Sequence, residues 1–129
     1  MFYLAVDFDG TIVKHRYPHI GDPVPGAFRW LKEFQRIDEI SLILWTMRSD
    51  GPTEPFLTEA LEFCADRGLV FDFANEHPQD WTTSPKVYAH CYIDDAALGC
   101  PLKPDPASLG RFFVDWDVVG PKVLEMIGV

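Results

Sequence analysis

Apolar positions fall into two patterns along the 129-residue chain. The first is a set of short, nearly unbroken runs: Phe2 to Val6, Ser41 to Trp45 and His90 to Ile93. Such runs predict strands buried on both faces, as in a parallel sheet. The second is a helical spacing. Ala27, Trp30, Leu31, Phe34 and Ile37 give one apolar face between Gly26 and Asp38, with Pro25 where a first turn tolerates proline. Leu57, Ala60, Leu61 and Cys64 give another, with Thr53 as cap, Pro55 in the first turn and Gly68 as the stop. A third helix is predicted from a cap at Asp117 to about Ile127. Weaker signals predict a short strand at Val70 to Phe73, a helical turn at Lys86 to Ala89 and an edge strand at Arg111 to Val114. The intervening 12–25, 47–52, 75–85 and 96–110 stretches are rich in Pro, Gly or charge and read as loops, the first as a flap or short hairpin. Strands alternating with helices imply an α/β fold: right-handed βαβ units building a parallel sheet with helices on both faces. No repeat or linker divides the chain, so residues 1–129 are expected to form one domain.

Three of the apolar runs end in polar groups. Asp7 and Asp9 follow the first, Thr46 ends the second, and Asp94 and Asp95 follow the third. Carboxylates at the end of a buried strand are costly unless a cation or donor compensates them. In an open α/β sheet, ligands bind beyond the carboxyl ends of the strands, so these groups are expected to converge. Lys86 lies eight residues before Asp94 and can approach the same edge. The set matches phosphate chemistry. Carboxylates suit Mg²⁺, and a hydroxyl and an ammonium suit phosphate oxygens. One aspartate can attack phosphorus while another handles the proton. Gly10 permits a sharp exit from the first strand.

The net charge of −9 and absence of a basic stripe argue against nucleic-acid binding, with the reservation that bound metal cancels part of that charge. Three cysteines without a C-x-x-C spacing fit a reduced, cytoplasmic setting. No N-terminal basic segment precedes an apolar run, and no apolar stretch reaches the ~20 residues of a membrane span.

Asp7-Phe8-Asp9-Gly10-Thr11, Thr46, Lys86 and Asp94-Asp95 resemble, in order, the four motifs of the haloacid dehalogenase (HAD) superfamily. The motifs span about two-thirds of the chain. The resemblance implies a three-layer Rossmann-like core and a Mg²⁺-dependent phosphatase working through an aspartyl-phosphate. Asp7 would be the nucleophile and a metal ligand. Asp9 would be the general acid/base, with its main-chain carbonyl on the metal. Thr46 and Lys86 would hold phosphate, Asp94 would bind metal, and Asp95 would steady metal waters or Lys86. Thr46-Met47-Arg48 resembles the T-x-R form of the second motif, which makes Arg48 a weaker candidate for phosphate contact. Neither insertion point holds enough residues for a cap domain. An open site of this kind takes a phosphorylated small molecule, or a phosphate on a macromolecule, or borrows cover from a second copy. His15 and Arg16 carry a minor functional expectation, because the flap lies over the site.

Other readings compete. A receiver-type phosphoacceptor module has similar size, acidity and residue types. However, it needs its acidic pair early and its acceptor aspartate on a middle strand. A retired binding module would have lost motif positions, and here all four are filled. A phosphatase of nucleic-acid ends fits an open site but not the acidic charge. Asp115-Trp116-Asp117 mimics the first motif without its Gly-Thr and reads as structural.

Overall fold

The computed structural model describes residues 1–128. In chain order it contains β1 (Phe2–Val6), α1 (Ala27–Gln35), β2 (Ile40–Leu44), α2 (Phe56–Ala65), β3 (Phe73–Ala74), β4 (Cys91–Ile93), β5 (Leu102–Pro104), β6 (Phe112–Val114) and α3 (Trp116–Ile127). The first four strands form a parallel sheet in the order β3-β2-β1-β4. The two central strands are the most deeply buried: Leu4, Ala5 and Val6 of β1 and all of β2. Fully buried strands need partners on both sides for their backbone groups, and the two central positions supply them.

Strand order dictates which face each connection covers. The chain steps from β1 to β2 to β3 in one direction. Right-handed crossovers therefore put α1 and α2 on the same face. It then returns across the sheet to β4, so residues 75–90 must cover the opposite face. The packing agrees. Leu4, Val6, Leu42 and Leu44 share a core with Ala27, Leu31 and Phe34 of α1, Ala60 and Cys64 of α2, and Trp116, Val119 and Val123 of α3. Ala5 and Ile43 point the other way, onto Val87, with Tyr3, Trp45, Phe73, Ala89 and Tyr92 around them.

The expectation of helices on both faces is therefore corrected: the described residues place all three helices with one face, and a non-helical segment covers the other. The helical turn expected at Lys86 to Ala89 is likewise absent. Side chains take over the local backbone bonding there. Ser84 Oγ accepts from the Lys86 N–H, and the His77 ring accepts from the Tyr88 N–H at 3.1 Å. Pro78 and Pro85 supply no N–H at all. The 96–110 stretch is not a plain loop. Leu102 to Pro104 pairs antiparallel with Phe112 to Val114 as a separate two-stranded ribbon, so the last strand does not edge the main sheet.

The caps also differ from expectation. Asp115, not Asp117, caps α3, its carboxylate accepting from the Asp117 N–H at 3.1 Å. The first turn of α2 is held by Asp50 from the preceding loop, which accepts from both the N–H and the hydroxyl of Thr58, rather than by Thr53. No helix among the described residues is long and apolar enough to cross a membrane.

Helix α3 meets α1 where Gly120 lies under the indole of Trp30, and a Cβ at Gly120 would overlap that ring. Overfilling a packed contact costs about 1–3 kcal/mol, which exceeds the helix-propensity gain of replacing glycine. Gly120→Ala is therefore expected to lower the denaturation midpoint in urea, and a raised midpoint would show that the two helices separate freely.

Candidate active site

Parallel pairing brings the three polar strand ends to one edge. The ladder continues past the strands: Asp7 N–H donates to Ile93 O and Trp45 N–H to Val6 O, each at 2.9 Å. Asp7, Asp94 and Asp95 each offer an oxygen, and these oxygens lie within 4.8 Å of one another. Two oxygens on one hard cation, bound at about 2.1–2.5 Å, are never more than about 4–5 Å apart, so the triad fits such an ion in both spacing and donor type.

The triad is electrostatically crowded without one. Burial first, then the nearby charge of Asp94, pushes Asp7 from the ordinary 3.8 to about 8; the Phe8 N–H opposes this, and Asp95 adds to it. Thr11 is fully buried between these acids. Its hydroxyl lies 3.4 Å from Asp7 Oδ2 and accepts from the Asp95 N–H at 3.3 Å. The main chain of this turn is tied down from behind. Val114 N–H donates to Gly10 O and the Trp116 indole to Thr11 O, so the residues after β6 brace the motif. Asp115-Trp116-Asp117 is thus structural, as expected. Gly10 has a φ of +82°, and a Cβ there would overlap the His15 ring and the Asp95 carboxylate, so no other residue fits.

Asp9 is arranged differently from Asp7. Arg48 donates to both its oxygens, Nε to Oδ2 and Nη2 to Oδ1, each at 2.9 Å. The guanidinium is only 1% exposed and also donates to the carbonyls of Pro18 and His19 in the flap. The rings of Phe8 and Tyr17 each lie 5.1 Å from it. The loop carrying it is held by Asn75, just after β3. Asn75 accepts from Thr46 N–H and donates to Arg48 O. Thr46 Oγ1 in turn accepts from the Arg48 N–H.

A cavity of about 430 Å³ opens over this edge, lined by Asp7, Asp9, His15, Tyr17, Thr46, Met47, Asp94, Asp95 and Ala96. The sequence-predicted Asp7, Asp9, Thr46, Asp94 and Asp95 therefore meet in one place. Three expectations change. Lys86 does not line the cavity. Val87 points into the sheet, so its neighbour Lys86 points away, exposed, with Nζ 5.2 Å from the centre of the Tyr92 ring. Arg48 is not free for phosphate, because Asp9 and two carbonyls occupy it. Asp95, expected to steady metal waters or Lys86, joins Asp7 and Asp94 in the carboxylate group, while Asp9, expected to offer only its main-chain carbonyl, turns its carboxylate to Arg48.

Asp95 pairs with His15 at 2.7 Å rather than with Lys86, which gives the flap histidine a definite place. Arg16 is exposed and does not line the cavity. Asn75 opens the 75–85 stretch, whose composition predicts only a loop. Its signal was its position directly after a strand, the same one that marked Thr46, and asparagine tolerates its φ of +54°.

Two predictions follow from the charges. Arg48→Met strands a carboxylate and two carbonyls, so a loss of about 3–5 kcal/mol is expected in chemical denaturation, partly recovered in Arg48→Met with Asp9→Asn. Asp7 holds its proton more tightly folded than unfolded, so the metal-free protein should lose stability as pH rises from about 4 towards 8. Thermal melts in a chelator should show that decline in the wild type and a flatter profile in Asp7→Asn.

No protein-family profile and no curated protein sequence matches the chain. The structure of a conserved protein from Bacteroides thetaiotaomicron is similar, with 38% sequence identity and a TM-score of 0.73 over 96% of this chain and 90% of that one. At that identity over nearly the whole of both chains, this chain belongs to the same family as the conserved Bacteroides thetaiotaomicron protein.

Proposed function

We propose that the protein is a phosphomonoester hydrolase of HAD type that uses Mg²⁺ and an aspartyl-phosphate intermediate. The observation that carries this reading is the gathering of Asp7, Asp94 and Asp95 around one point at the carboxyl edge of the sheet, with Asp9 and Thr46 on the same cavity. A bound Mg²⁺ would neutralise the crowded acids and draw charge from the phosphoryl oxygens.

Asp7 then lies where its oxygen can form a bond to phosphorus as the bond from phosphorus to the ester oxygen breaks. Asp9 supplies the proton that the departing oxygen needs. In the second step it takes one from the water that splits the aspartyl-phosphate and releases inorganic phosphate. Arg48 fixes the plane of Asp9, so the proton travels on the oxygen lone pairs that the guanidinium leaves open. Thr46 stands on the cavity wall as the phosphate-side hydroxyl. No step passes through Lys86.

The open mouth of the cavity fits a capless hydrolase. The absence of Lys and Arg from the cavity lining speaks against a substrate on a nucleic-acid end. Slow, Mg²⁺-dependent release of phosphate from an aryl phosphate is expected, with a loss of at least about a hundredfold in Asp7→Asn. Turnover that survives in Asp7→Asn would remove the nucleophile from this reading. Accumulation of stable phosphate on Asp7 without turnover would favour a phosphoacceptor module instead.

A further inference from the structure

The cavity has two unlike walls. One is the acidic edge. The other is made by Tyr17 and Met47, 57% and 93% exposed. A single exposed apolar side chain needs no explanation. These two share the rim of the cavity that holds the acids, and both are set by the buried scaffold beneath. Asn75 bonds to the backbone on either side of Met47, so its side chain is held out at the crest of the loop. Tyr17 stands over the Arg48 guanidinium, which grips the next two carbonyls of the flap, and Phe56 meets its ring edge to face. The Tyr17 ring, packed against the guanidinium and Phe56, has little left to order on binding, and the flexible Met47 thioether can adapt to what lies beside it.

The polar inventory of the cavity narrows the occupant further. Apart from the acids, it offers the Thr46 hydroxyl, already accepting from Arg48, the Tyr17 hydroxyl, and His15, already paired to Asp95. A sugar phosphate with no further group would leave the faces of Tyr17 and Met47 unmatched, and a second phosphate would meet no lysine or arginine. A flat apolar group suits both an aromatic face and a thioether.

Resting on the phosphatase reading, we propose that the substrate is a phosphate monoester carrying a flat aromatic group, which lies against Tyr17 and Met47 while its phosphate faces Asp7. The aromatic group can be an aryl ring attached directly to the ester oxygen or the base of a nucleotide.

Calorimetric titration of the Mg²⁺-loaded protein with phenylphosphonate and methylphosphonate tests this without turnover. Phenylphosphonate should bind about tenfold tighter, as expected for one stacked ring. The advantage should persist in Tyr17→Phe and fall to about twofold or less in Tyr17→Ala and in Met47→Ala, two contacts of one stacked group. Met47 is almost fully exposed, so its truncation keeps the test valid if the Tyr17 variant fails to fold. Equal binding of the two phosphonates, or an advantage that survives both truncations, overturns the aromatic face while leaving the phosphate site standing. Binding of neither overturns the phosphate reading and this inference with it. Adenosine 5′-monophosphate and ribose 5-phosphate, competed against phenylphosphonate, separate the two sources. A gain from adding the base places the ring on a nucleoside, and no gain places it on the ester oxygen itself.

Discussion

The buried guanidinium of Arg48 is the contact on which the site's geometry depends. It joins segments that strand pairing leaves independent: the turn after β1 through Asp9, the flap through Pro18 and His19, and the loop after β2 through its own backbone. Arginine suits this place because its donors are rigid, planar and numerous, whereas lysine would offer one compact charge. The flanking Phe8 and Tyr17 rings contact the guanidinium without competing for hydrogen bonds. A charge buried this deeply is tolerated only because a carboxylate and two carbonyls meet it.

Asp7 presents the opposite case. Its fold-given position brings it near two like charges, with the Thr11 hydroxyl and a backbone N–H as the compensating donors. Both Asp9 oxygens accept from Arg48, whereas Asp7 is under-partnered, although only one residue separates them. The backbone reversal at Gly10 belongs to the same design. It lets Asp95 and His15 close in on the space a side chain would fill, so the crowding is built in by the chain path.

Much of this was legible in the sequence because parallel strands announce themselves as apolar runs and their carboxyl ends are a known meeting place. Asp7 and Asp94 follow from that rule, and Thr46 from its place in the same series. What was not legible depends on side-chain direction. Lys86 has the right sequence distance, but the alternation that buries Val87 turns it outward. Arg48 looked like a phosphate contact because an arginine next to a phosphate-binding threonine and an arginine that clamps an aspartate look the same in one dimension. The helical turn expected at Lys86 to Ala89 is also absent. Tertiary contacts decide the segment instead: the His77 ring accepts from the Tyr88 N–H and Val87 packs onto the sheet.

The asymmetry between the two faces has a dynamic consequence. One face is sealed by three helices sharing a continuous core, the other by a strap whose principal buried anchor is Val87. Regions with few buried apolar contacts open at lower free energy than the global transition. The strap begins at Asn75, the residue that spans the Thr46 loop. Breathing of this thin cover therefore slackens the crest that carries Thr46 and Met47 while β1, the flap root and the helical layer stay folded. The protein is built with a stiff half that carries Asp7, Asp9 and the Tyr17 flap and a softer cover that steadies the crest of Thr46 and Met47.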